Sequence, residues 1–150
     1  MSTDGISERR GQLFFQLQLA AHRLRKVADR SVMAKTGLTT AQAAILYIVA
    51  ARKNVMQKEI AKRLGQNESA VVAMANRLTR LGYLGRRRSD VDPRASMLNV
   101  TAKGMRELQV AKGPFRELDN MLDNVFSPAE LDTMSLLLTR LVDALAAEAE

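Results

Sequence analysis

The side chains best suited to chemistry in this 150-residue chain are arginines: Arg86, Arg87 and Arg88 in an unbroken run, and Arg94 just beyond. A guanidinium group stays charged at any physiological pH, and its fork of donors matches the oxygens of a phosphate. The chemistry on offer is capture of a polyanion. Asp90-Val91-Asp92-Pro93 separates the run from Arg94 and reads as a turn. Proline biases Asp92 toward extended backbone and stiffens the tip that carries Arg94. Asp92 has two roles open to it: orienting an arginine, Arg77 or Arg94, or forming the turn. Consecutive arginines on a strand cannot share one face, because successive side chains alternate. Two are expected to face phosphates and one to cover the domain.

These residues need a frame, and the preceding sequence supplies one. A short third helix is expected over 54–64, with Ile60, Ala61 and Leu64 inward. Met56 stands where Ser or Thr would be usual, so Asn54 is the expected cap. Gly65 makes a tight turn, and Asn67 caps a fourth helix that runs to about Leu81, where Gly82 stops it. Its inward face is Val71, Met74, Ala75 and Leu78. Tyr83 and Leu84 lead into a hairpin whose return strand alternates Leu98 and Val100 with Asn99 and Thr101. Two helices, a tight turn and a basic hairpin spell a winged helix-turn-helix, a geometry that grips double-stranded DNA. In that frame Lys58 and Lys62, one turn apart, touch backbone phosphates and carry affinity, not sequence choice. Gln66, Asn67 and Ser69 open the reading helix, while Val72 and Ala73 suit thymine methyl groups. Glu68 has two roles open to it: accepting from a cytosine amino group or, the more common case, favouring the helix N-terminus. A stiff hairpin ending in Arg94 fits a narrow minor groove.

Long helices flank this core. Leu13, Leu17, Ala20, Leu24 and Val27 mark the first, from about Ser7 to Lys35, and Gly37 ends it. Thr39-x-x-Gln42 is a capping box that opens a second, buried helix through Arg52. Thr101 caps a fifth, carrying Met105, Leu108, Phe115, Leu118, Leu122 and Val125, with an interruption and kink expected at Gly113-Pro114. Ser127-Pro128-Ala129-Glu130 opens the last, which carries Leu131, Met134, Leu137, Leu138, Leu141, Val142 and Leu145. That is more apolar surface than a winged helix needs to cover, and such stripes mark an oligomer interface. The expected fold class is mainly α (α+β): a winged helix-turn-helix with long N- and C-terminal dimerisation helices. The expected organisation is one domain over 1–150, with a DNA-binding core at 38–101 and dimerisation helices at 7–36 and 102–148.

Charge follows the same division. Residues 52–106 hold 13 Lys/Arg against 4 Asp/Glu, a net of +9, whereas the tail from Glu107 carries −6. With no cysteine, disulfides, thiolate metal sites and thiol redox sensing are excluded. No metal-ligand cluster, phosphate-cradling glycine loop or nucleophile–base set stands out, so no enzyme, catalytic residue, metal or cofactor is expected. The N-terminal sequence shows no apolar signal segment and no stretch is apolar enough to span a bilayer. A soluble, cytoplasmic protein without membrane contact is the expectation.

The chain resembles the MarR family of bacterial transcriptional regulators. The resemblance rests on Gly37-Leu38-Thr39, Gln57-Lys58-Glu59-Ile60-Ala61-Lys62-Arg63-Leu64-Gly65, Ser69, Val71, Arg77-Leu78 and Leu81-Gly82-Tyr83-Leu84. It continues through Asp92-x-Arg94 and Leu98-x-Val100-Thr101-x-x-Gly104. The resemblance implies a homodimer joined through its terminal helices, binding pseudo-palindromic promoter DNA, with Arg94 as the minor-groove probe. It also implies repression relieved by a small ligand, often aromatic. The start of the fourth helix departs from the family pattern, which has Thr or Arg at several of these places. Donors to base edges are scarce there, so indirect readout through DNA shape is expected to matter.

An effector would meet Phe14, His22, Tyr47 and Phe115, and nearby Arg23 and Arg25 suit an aromatic or fatty carboxylate. Aromatics at helical spacing are more often core, and a lone surface histidine more often has no such role. The alternative from another functional class is a winged-helix protein-interaction module or anti-regulator that has lost DNA binding, for which Ala70, Val72 and Ala73 give some footing.

Overall fold

The computed structural model describes the backbone of residues 3–148 and side chains from residue 9. The described chain runs α1 (Thr3–Thr36), α2 (Thr40–Arg52), β1 (Val55–Met56), α3 (Gln57–Leu64), α4 (Glu68–Arg80), β2 (Leu84–Arg88), β3 (Ser96–Val100), α5 (Ala102–Val125) and α6 (Pro128–Glu148). It forms two compact units divided at Pro114: residues 1–114 and 115–150.

In the first unit, Gly37 ends α1 at φ +69, a left-handed conformation that glycine adopts without strain. Thr39 then starts α2. Its hydroxyl accepts the Gln42 N–H at 3.2 Å, and the Gln42 side chain accepts the Thr39 N–H at 3.1 Å, closing the expected box. Asp29 on α1 ties the two helices by accepting the Thr40 N–H at 2.7 Å. Ala43, Ile45, Leu46 and Val49 of α2 are fully buried. Ile60, Val71, Ala75, Leu78, Leu84 and Leu98 close around them as one core.

The stretch 54–56 differs from expectation. Val55 and Met56 form a strand, not a first helical turn, and pair antiparallel with Leu98 and Met97. The sheet order is β1-β3-β2, so β3 is central. Asn54 does not cap α3; it lies at φ +54, after Lys53 at φ +50. Met56 occupies the cap position, and its N–H is met by the Glu59 carboxylate at 3.0 Å. A glutamate reaching back replaces the missing hydroxyl. Asn67 occupies the cap position of α4, but its side chain makes no capping hydrogen bond.

At the other end of α4, Gly82 takes φ +78 and the chain turns into β2. There α5 begins in tight apposition. Thr101 Oγ1 donates to the Gly82 carbonyl at 2.6 Å and accepts the Gly104 N–H at 3.0 Å. A Cβ on Gly104 would lie 2.1 Å from the Tyr83 carbonyl oxygen.

α5 runs unbroken through buried Pro114, where an interruption was expected. Proline fits helical φ, and its cost is one lost backbone bond plus local crowding. In the second unit, the Ser127 box opens α6 as expected: Glu130 Oε2 accepts from Ser127 N–H and Oγ, both at 2.8 Å. Those bonds hold the Glu130 carboxyl below its usual pKa.

Gly104→Ala is expected to destabilise the protein by roughly 3 kcal/mol, since the clash is with backbone and cannot be relieved by a rotamer change. Gly11→Ala, in open space within α1, should stabilise by about 0.5–1 kcal/mol through helix propensity. Urea unfolding of both variants is the measurement; a wild-type midpoint for Gly104→Ala would show that this corner can open.

Candidate nucleic-acid interface

The helix-turn-helix is built by α3, the turn at Gly65 (φ +59) and α4. The Gln66 N–H returns to the Ala61 carbonyl at 3.0 Å, which closes the end of α3. With Ile60, Ala61, Val71, Ala75 and Leu78 turned inward, the opposite faces are open. Lys58 and Lys62 stand exposed on α3. Gln66, Asn67, Ser69, Ala73 and Arg77 are exposed along the turn and α4, and Val72 is half-buried between them. Arg63 and Arg80 are exposed as well; the sequence reading passed over them, although the basic count included both.

β2 and β3 form the wing in the register Leu84↔Val100, Arg86↔Leu98 and Arg88↔Ser96. Arg86, Arg87 and Arg88 are all exposed, so none is folded under the domain as expected. Two of the three are nevertheless held. Arg86 lies on the sheet face of Leu84 and Leu98, and its Nη2 donates to Asn76 Oδ1 of α4. Arg87, on the other face, pairs with Asp90 at 3.5 Å.

The wing tip is organised by Ser89, which is buried. Its Oγ accepts the N–H groups of Val91 at 3.2 Å and Asp92 at 3.3 Å. Asp92 Oδ1 accepts the Arg94 backbone N–H at 2.9 Å, and the Asp92 carbonyl accepts the Ala95 N–H at 2.9 Å. Of the two roles open to Asp92, the structure shows the turn-forming one, with no arginine head group engaged. Arg94 is exposed at the tip.

The sequence reading missed Ser89 and Asn76. Serine next to Asp90 is a common turn signal. Asn76 stands seven residues after Ser69, two turns along one helix face, and that spacing could have found it.

The aromatic candidates for an effector are placed differently. Phe14, His22 and Tyr47 are exposed in the first unit, so they do not by themselves enclose a pocket, and Phe115 belongs to the second. Phe14 packs edge-to-face on Phe15. No single described helix is long and apolar enough to cross a membrane; α1 and α2 pass that test only as a pair bent by 74°.

The model of the MarR family matches residues 36–95, the stretch from the end of α1 through the wing tip. Over these residues the chain is similar to the MarR family. Solved structures give the same fold. The S. aureus MepR–DNA complex is 20% identical with a TM-score of 0.77, covering 87% of this chain and 96% of that one. The PcaV transcriptional regulator of Streptomyces coelicolor, in complex with its natural ligand, is 23% identical (TM-score 0.74), covering 97% and 99%. A probable transcriptional regulator of Pseudomonas aeruginosa is also 23% identical (TM-score 0.78), covering 87% and 96%. No curated protein sequence matches the chain.

Ser89→Ala removes the acceptor for two wing-tip amides. Amide exchange of Val91 and Asp92, followed by NMR, is expected to accelerate on the order of tenfold. Unchanged rates would mean that Asp92 alone holds the tip.

Proposed function

We propose that this protein is a DNA-binding transcriptional regulator of the MarR family, working as a homodimer on a pseudo-palindromic promoter site, as a repressor. The reading rests on one observation above all: the exposed faces of α3 and α4 and the wing gather nine of the chain's 23 Lys/Arg on a single compact unit. Each α4 would lie in a major groove, with Gln66, Asn67, Ser69, Val72 and Ala73 at base edges. Lys58, Lys62, Arg77 and the wing arginines would meet phosphates, and Arg94 the minor groove. The solved MepR–DNA complex shares this fold.

Dimerisation is supported by apolar surface that the single chain leaves open. On α6, Leu136, Leu137, Leu138, Leu141, Val142 and Leu145 are 41–63% exposed. Leu13, Phe14, Phe15 and Leu19 of α1 and Met121 and Val125 of α5 are exposed too. A twofold protein presents two reading helices about 34 Å apart, one turn of B-DNA. Relief of repression by an aromatic or fatty carboxylate is the regulatory half of the proposal, supported by the similarly folded PcaV regulator bound to its natural ligand. Such a ligand must bind the DNA-incompetent dimer more tightly than the competent one.

A mobility-shift assay with fragments of the source genome tests the core of the reading, and binding to no fragment would favour the protein-interaction alternative. Arg94→Ala is expected to weaken binding by about 1–3 kcal/mol per half-site and to reduce preference for A·T-rich flanks. Lys58→Ala should weaken all sequences alike and shrink the slope of log affinity against log salt by about one. Leu138→Asp with Leu141→Asp should convert a sedimenting dimer to a weakly binding monomer. A wild-type monomer at micromolar concentration would defeat the dimer. Calorimetry with aromatic and fatty acids, paired with DNA release, tests the ligand.

A further inference from the structure

The three wing arginines are chemically alike but held differently, and the difference points to a residue outside the phosphate contacts. Arg86 Nη2 donates to Asn76 Oδ1, bridging β2 and α4. Arginine offers only donors, so the amide must present its oxygen. Asn76 is half-buried and follows Ser69, Val72 and Ala73 along the outer face of α4. Arg86 lies opposite Leu98, where the strand emerges from the core beyond buried Leu84. The guanidinium is therefore docked at the junction of the reading helix and the wing.

We propose that Asn76 is a positioning residue for DNA binding: it sets the Arg86 guanidinium beside the reading face of α4, ready for a phosphate before DNA arrives. This rests on the DNA-binding reading above. The chemistry of the acceptor carries it. An amide oxygen orients a cation without neutralising it, so the full charge stays available to a phosphate. Arg87 shows the contrast: its partner is the Asp90 carboxylate, which offsets its field at the surface. An arginine has many rotamers to lose on binding, and docking it in advance removes part of that loss from the association step. Asn76 itself adds no charge and, with its oxygen committed to Arg86, lacks the acceptor half of a bidentate adenine contact.

The test uses the full chain with two probes: the genomic fragment that the wild-type protein retards most, and a scrambled duplex of equal length. Asn76→Ala is expected to weaken binding to both by a similar factor, roughly two- to tenfold, with the salt slope kept because Arg86 still reaches its phosphate. Arg86→Ala should shrink that slope by about one. The double variant should bind no worse than Arg86→Ala alone, as expected for residues acting as one unit. Asn76→Asp keeps the tether but cancels the charge, and should shrink the slope by about one in a free protein whose urea midpoint is unchanged or higher. That last pair of readouts separates positioning from a merely structural bond. It also keeps the test decisive if Asn76→Ala folds poorly. Additive losses in the double variant, or a loss confined to the preferred fragment, would overturn the inference; the latter would make Asn76 a base reader. Failure of the wild-type protein to bind any DNA would instead overturn the DNA-binding reading.

Discussion

The close approach of Gly104 to the Tyr83 carbonyl fixes the direction of everything that leaves the α4–β2 corner. Only a residue without a Cβ fits there, and that lets Thr101 and Lys103 reach the end of α4. Thr101 binds the Gly82 carbonyl through its hydroxyl and the Tyr83 carbonyl through its N–H. Lys103 Nζ donates to the Leu81 carbonyl at 2.8 Å and lies 5.2 Å from the Tyr83 ring centroid. The last carbonyls of α4, from Arg77, Leu78 and Thr79, are met by the N–H groups of Leu81, Tyr83 and Gly82, and Thr101 and Lys103 take up those of the turn that follows. A cation at this end also suits the α4 dipole. Burial, and then the Glu107 carboxylate, raise the Tyr83 phenol above its ordinary pKa. α4, the first strand of the wing and the start of α5 meet in one stiff joint.

Farther out, stiffness comes from hydrogen bonds instead of packing. The wing tip has no core of its own, and Val91 points into solvent. Ser89 and Asp92 replace packing with four local bonds to the backbone. This arrangement commits Ser89 Oγ and Asp92 Oδ1 to the turn and leaves Arg94 outward. The positive field of the unit is accordingly graded: Arg87 is partly offset by Asp90, Arg86 is docked but fully charged, and Arg94 extends from a fixed tip.

Most of this frame was legible because its signals are local. Thr39 and Gln42, Ser127 and Glu130, and Gly65 and Gly82 each act on neighbours within four residues, and each does what its type requires. The failures are non-local. Val55 and Met56 are a strand only because Met97 and Leu98, some forty residues later, supply the other edge of the ladder; two residues have no period to read. Asn54 looked like a cap, but it sits in a left-handed turn that brings β1 into register. Pro114 looked like a break, yet α5 continues through it. Asn76 could be placed on the outer face of α4 by its spacing from Ser69, but its pairing with Arg86 depends on where β2 returns.

One consequence of the sheet order concerns association, not recognition. With β3 in the centre, β2 is an open edge, and an open edge is a template on which another chain can add a strand. Three adjacent cations on that edge repel an identical copy, so the arginines also keep the protein from assembling through its wings. Removing all three to abolish DNA binding would therefore risk strand-to-strand aggregation that mimics loss of function. Replacing them with glutamate would cancel the attraction for phosphate while keeping the edge guarded.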